Sequence, residues 1–165
     1  VRQGLDSGWL GEAIVLRDDI NNALKEAMKG GEKRRVSTLR LVNSAVKNAD
    51  IEARGHGKGP LSDEELLSLL QKMIKQRQES IELYEKGGRA ELAAQEREEI
   101  AIIASYLPQQ MSEAEARAAI DAAVAETGAA GMKDMGKVMA ALKARHAGKM
   151  DFAKASALVK ARLSG

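Results

Sequence analysis

Cysteine is absent from this chain of 165 residues. With it go the disulfide framework, the thiolate zinc site and the thiol nucleophile, and a reducing, cytoplasmic setting is the expectation that accompanies the absence. Aromatic residues are almost missing too: Trp9, Tyr84, Tyr106 and Phe152 make up 2% of the chain. A core must therefore be built from Leu, Ile, Val, Met and Ala, a palette that favours helix over sheet. Histidine occurs only at His56 and His146, which makes a histidine-ligated metal or a buried serine triad a poor candidate; no metal and no cofactor is expected. No run approaches the roughly 18 consecutive apolar residues of a membrane span, so no membrane partner is expected. Residues 1–15 lack the basic start and apolar run of a signal peptide. They read as a loose leader, with the native start expected near Leu16 because the chain opens on Val.

What is present is 44% hydrophobic and 30% charged, enough for one domain or two small ones. From Leu16 onward, Leu16, Ile20, Ala23, Leu24 and Ala27 recur at helical spacing until Gly30-Gly31. Leu39, Val42, Val46, Ala49 and Ala53 form a second stripe, ended by the Gly55–Pro60 breaker cluster, which reads as a flexible connector. Ser62-Asp63-Glu64-Glu65 has the capping-box order and opens a third helix with Leu66, Leu70, Met73, Arg77, Ile81 and Tyr84 on one face. A fourth helix spans Arg89 to Ser105 and stops before Pro108. Ser112 to Glu115 is a second capping box, followed by Ile120 and Val124; Met135, Val138, Met139 and Leu142 mark a sixth helix. The last helix, capped by Asp151, carries Phe152, Ala155, Leu158 or Val159, and Leu163. The expectation is an all-α protein of two helical domains, a four-helix unit over 16–106 and a three-helix unit over 107–165.

Net charge is only +2, yet it is unevenly distributed. Residues 16–106 hold sixteen bases and sixteen acids, 107–131 one base and four acids, and 132–165 eight bases and two acids. A terminal segment of +6 is what a polyanion would require. A solvated lysine face, with cations favoured near helix C-termini, explains the same numbers. The near absence of aromatics speaks against stacking on unpaired bases and for recognition of a folded RNA through shape and backbone.

Within that segment Asp134-Met135-Gly136-Lys137-Val138-Met139 is the leading candidate site. With Asp134 as N-cap, the N–H groups of Met135, Gly136 and Lys137 would face outward at the positive end of the helix dipole. Alternatively Gly136 lets a neighbouring helix pack close. Gly148-Lys149-Met150-Asp151 repeats the arrangement, and Lys143 and Arg145 lie between the two. Met132, Met135, Met139 and Met150 read as adaptable core, and His146 as a cap or surface group. Glu96, Glu98 and Glu99 look like a solvated face, although Arg77 could pair with Glu96 or Glu99.

Lys75-Gln76-Arg77, Gly88-Arg89 with Leu92, Glu96 and Glu99-Ile100, Tyr106-Leu107-Pro108, the 134–139 segment and Gly148-Lys149 with Asp151, in this order, resemble the GatB/YqeY family. The resemblance covers Leu16 to Leu163. It implies a C-terminal half similar to the tail domain of the B subunit of the glutamine-dependent aspartyl/glutamyl-tRNA amidotransferase, a tail that contacts tRNA. The family label is a carbon–nitrogen ligase with glutamine as amido-N-donor. The chain has no counterpart of that enzyme's catalytic cradle or amidase centre, so what carries over is RNA contact at Asp134, Gly136, Lys137, Gly148 and Lys149. The resulting expectation is a tRNA-binding accessory module with no catalytic residue assigned. The alternative is an adaptor that docks on an amidotransferase subunit or an aminoacyl-tRNA synthetase through the N-terminal helices.

Overall fold

Two serines show how the sequence sets its helix starts. Ser62 Oγ accepts from the Glu65 N–H at 3.1 Å while the Glu65 carboxylate accepts from the Ser62 N–H at 3.0 Å. Ser112 and Glu115 make the same exchange at 3.1 and 2.8 Å. Each pair satisfies N–H groups that the first turn leaves without helical partners. The N–H bonds hold both glutamates below the ordinary carboxylate range.

The computed structural model describes residues 16–165; the expected leader over 1–15 lies outside the described residues. These form seven α-helices: α1 Leu16–Gly30, α2 Lys33–Gly55, α3 Asp63–Lys86, α4 Ala90–Ala104, α5 Glu113–Thr127, α6 Met135–His146 and α7 Phe152–Ser164. A 3-10 turn, Met132–Asp134, leads into α6. No strand occurs among the described residues, so the all-α expectation is met. The chain divides into two compact units, one ending at Tyr106 and the other running Leu107–Gly165.

In the first unit Leu16, Ile20 and Ala27 of α1 are buried, as are Leu39, Val42 and Val46 of α2, Leu66, Leu70 and Met73 of α3, and Ile103 of α4. Gly31 and Gly88 turn the chain at φ of 67° and 72°, a region where a Cβ is strained. Polar ties then set how the helices meet. Arg17 donates to Asp50 at 2.6 and 3.1 Å and to the Leu61 carbonyl at 3.2 Å, while the Leu61 N–H donates to Asp50 at 3.0 Å. The Asp50 carboxyl is held below its ordinary range by Arg17 first and the Leu61 N–H second. The 55–60 connector is thus pinned at its far end.

Between α3 and α4 the Arg77 guanidinium lies 3.1 Å from Glu99 and 3.8 Å from Glu96. It also donates to the Met73 carbonyl at 3.2 Å. Side-chain exposure is 13% for Arg77, 18% for Glu96 and 8% for Glu99, which corrects the expectation of a solvated face for Glu96 and Glu99, while Glu98 is exposed as expected. Arg77 falls on the inner side of α3, so its charge needs a carboxylate brought inside with it. Burial, and next the neighbouring Glu99 carboxylate, push the Glu96 carboxyl up.

The second unit closes over its own core of Ile120, Ala123, Val124, Val138, Leu142, Met150, Ala155 and Val159. Val159, rather than Leu158, takes the fully buried place on α7. Met150 is core, but Met132 is 43% exposed, against the expectation for that methionine. Ahead of α5 the chain is stitched to the α6–α7 turn: the Met111 N–H donates to the Lys149 carbonyl at 2.8 Å and Gln110 Nε2 to the Gly148 carbonyl at 2.5 Å.

Candidate nucleic-acid interface

The 130–137 segment differs from its expected arrangement in two bonds. Asp134 does not cap α6 with its side chain. Its carboxylate turns back to accept from the Ala130 N–H at 2.9 Å, and Lys137 Nζ approaches to 3.8 Å. The Ala130 N–H bond, aided by Lys137 and Lys133, keeps the carboxyl below its ordinary range. The Met135 N–H is engaged as well, donating to the Met132 carbonyl at the end of the 3-10 turn. The outward row of three free N–H groups is therefore not formed, because the 3-10 turn supplies acceptors one turn before α6 begins. Asp134 acts as the brace of that turn.

Gly136 has the opposite outcome. It is exposed, and a Cβ built there would meet nothing within 4 Å. Close packing by another helix does not explain it within the unit, and its φ is not positive. Helical spacing puts Lys133, Gly136, Lys137, Ala140, Lys143 and Ala144 along one side, and all six are exposed. The result is a low floor of Gly and Ala flanked by lysines.

Gly148 is buried at a φ of 75°, with its carbonyl held by Gln110. That places it in the architecture of the α6–α7 turn. Asp151 closes the start of α7, accepting from the Ala153 and Lys154 N–H groups at 2.9 and 3.3 Å. The Lys149 backbone is used on both sides, its N–H donating to the His146 carbonyl at 2.9 Å and its carbonyl accepting from Met111. Its ammonium group is exposed. His146 is half-buried; desolvation, then Lys149 and Arg145, push its pKa down, so the uncharged imidazole is favoured.

Arg145 is not a free cation, since both guanidinium nitrogens engage the Glu126 carboxylate on α5. Arg162 pairs with Asp121 at 3.1 Å and Arg117 with Glu113 at 2.9 Å. All six acids of this unit are thus occupied, by ion pairs or by helix starts, and its three arginines are held by carboxylates. Lys133, Lys143, Lys149, Lys154 and Lys160 have no ion pair among the described residues. Sequence reading missed the part played by Glu126 and Asp121, whose partners lie on other helices. Of the expected contact residues, the fold brings Gly136, Lys137 and Lys143 to one helix side and leaves the Lys149 side chain exposed beyond the end of α6, while Asp134 braces the turn before α6, Arg145 is exposed but paired with Glu126, and Gly148 is buried in the α6–α7 turn.

Fold and surface together define a class: a protein that is helical throughout its described residues, in two small units, the second of which presents lysines to solvent while its arginines pair with carboxylates and its remaining acids brace helix starts and turns. Within that class the chain belongs to the YqeY-like protein family, whose family model matches residues 17–163. It is 38% identical, over 64% of its length and 54% of the relative's, to altered inheritance of mitochondria protein 41, mitochondrial, of Lachancea thermotolerans. The protein of the same name from Kluyveromyces lactis is 31% identical over the same shares of the two chains. An uncharacterised protein of Schizosaccharomyces pombe is 31% identical over 56% of this chain and 72% of its own. The chain spans about half the length of the mitochondrial-named relatives it matches. Among the described residues no helix is long and apolar enough to cross a membrane.

Proposed function

We propose that this protein is a tRNA-directed accessory module related to the aminoacyl-tRNA amidotransferases, and that its C-terminal unit holds the tRNA backbone. One observation carries the reading: after internal pairing, five lysines of that unit remain unpaired among the described residues, and three lysines flank an exposed helix side floored by Gly136, Ala140 and Ala144. Lysines without internal carboxylates are available to displace counterions from phosphates. A floor without large side chains lets a phosphate–sugar backbone approach the helix closely. Family membership and the resemblance of the 134–149 segment to the amidotransferase tail support the same reading.

The test is a tRNA titration with Lys137, Lys143 and Lys149 all replaced by Glu. The expected result is at least a tenfold weaker complex with a flatter salt dependence, by about 0.9 in slope for each phosphate contact removed. Unchanged affinity at low and moderate salt would refute the reading. A second reading, an adaptor for amidotransferase or synthetase proteins, draws on Met28 and Leu83 of the N-terminal unit, which are 53% and 69% exposed. An association with such a partner that survives nuclease treatment and loss of residues 107–165 would favour it.

A further inference from the structure

The N-terminal unit is neutral in sum, but its longest basic helix is not. In α2, Lys33–Gly55, six bases stand against two acids. Of those acids, Asp50 is held by Arg17, and Glu52 lies five residues beyond Lys47, about 140° around the helix. Four of the bases, Lys33, Arg40, Lys47 and Arg54, recur every seven residues, and all four are exposed. Seven residues fall about 20° short of two full turns, so the four side chains follow one gently winding line about 32 Å long. Ser37, Ser44 and Ile51 occupy the intervening turns of that line and are also exposed. None of the four cations has an ion pair among the described residues. Glu26 is engaged with Lys29 and Glu98 with Arg34, which leaves Glu32, directly before Lys33, as the one acid beside the start of the line.

We propose that this outer face of α2 is a second nucleic-acid contact, one that binds the phosphate backbone of a duplex RNA stem. The side chains on the line decide between an RNA and a protein partner. A docking helix would need an apolar seam at these positions, whereas the line reads Lys, Ser, Arg, Ser, Lys, Ile, Arg. Six of the seven are hydrogen-bond donors of the kinds that contact phosphates, and five-donor Arg alternates with flexible Lys. No aromatic residue lies on α2, so splayed bases have nothing to stack on and a folded stem fits better than a single strand. The proposal stands on α2 alone and does not depend on the lysines of the C-terminal unit.

The experiment uses the full chain and a labelled RNA duplex of about 20 base pairs, longer than the ~16 that a duplex-binding domain covers. In one variant Lys33, Arg40, Lys47 and Arg54 are replaced by Gln; in another, Lys137, Lys143 and Lys149 are. The α2 variant is expected to bind at least tenfold more weakly, with a salt slope shallower by about 2 to 3. Arg40→Lys with Arg54→Lys is expected to keep most of the affinity. Two double variants, Arg40→Gln with Lys47→Gln and Lys33→Gln with Arg54→Gln, split the change and keep the test decisive if the quadruple variant misfolds. Wild-type affinity in the α2 variants overturns the inference, as does an acidic polyglutamate peptide binding as tightly as the duplex, which would mark an acidic protein as the partner. Binding lost only in the C-terminal variant sinks this inference while leaving the proposed function standing. Binding lost only in the α2 variants supports the inference, and the C-terminal contact then rests on the tRNA titration alone.

Discussion

Arg77 meets two carboxylates that are not equivalent. Glu99, at 3.1 Å and 8% exposed, carries the pairing, whereas Glu96, at 3.8 Å and 18% exposed, is the excess negative charge of the group. Replacing Glu99 by Gln leaves a buried guanidinium without its main counter-charge, and the expected cost is about 3 kcal/mol. Glu96→Gln is expected to cost little at neutral pH. The folded-state pKa of Glu96 is raised, by burial and then by Glu99, so the native state binds more protons than the unfolded one across that interval. Its contribution is present below the unfolded glutamate range and lost as pH rises through the folded value. Glu96→Gln should therefore flatten the fall in stability over that window, while Glu99→Gln lowers stability on its neutral side. Urea unfolding from acid to neutral pH distinguishes them, and equal losses in both variants would refute the assignment.

At the scale of the element, α6 carries a glycine that its own architecture does not use. Gly136 has neither a positive φ nor a neighbour within 4 Å of its would-be Cβ, and glycine in a helix costs about 0.5–1 kcal/mol relative to Ala. Gly136→Ala is accordingly expected to raise the melting temperature while weakening tRNA binding several-fold, a pairing of effects that melting and titration read separately. A stabilised variant with unaltered binding would place the RNA away from this face. Elements of this kind were legible in sequence because their signals are local. The Ser62 and Ser112 boxes, the Gly30-Gly31 stop and the three-and-four spacing of Leu16, Ile20 and Ala27 all act within a few residues. Arg77 was legible because its place on the apolar face demanded an inward acid. Arg145 was not, since Glu126 lies 19 residues away on another helix and the sequence carries no sign that α5 and α6 bring them together. Asp134 was misplaced for a subtler reason: an aspartate before a helix suits an N-cap and a brace of the preceding turn alike, and only the 3-10 geometry selects the brace.

For the whole molecule, charge and core have different granularity. Charge summed over a segment concealed how acids and bases sort between faces: sixteen against sixteen over residues 16–106 leaves a cationic line on α2, and the +6 after Met132 reduces to unpaired lysines once Arg145 and Arg162 are engaged. Cores behave otherwise, because a buried cluster is a property of one packed unit. Ile120, Val124, Val138, Leu142, Met150 and Val159 all belong to the unit that runs Leu107–Gly165. Leu142 is fully buried there, and truncation to Ala should remove about 2–5 kcal/mol. A 59-residue unit has little stability to lose. Leu142→Ala is therefore expected to abolish slow amide exchange over residues 107–165 and to abolish tRNA binding through the C-terminal lysines, while amides of α1 to α4 keep their protection. Duplex binding by the α2 line should persist in the same variant, since its cations sit on a helix whose core contacts come from Leu39, Val42 and Val46. Hydrogen exchange read by mass spectrometry decides it: protection lost together across both units would show that they fold as one, and the two RNA contacts would then have to be tested as one surface.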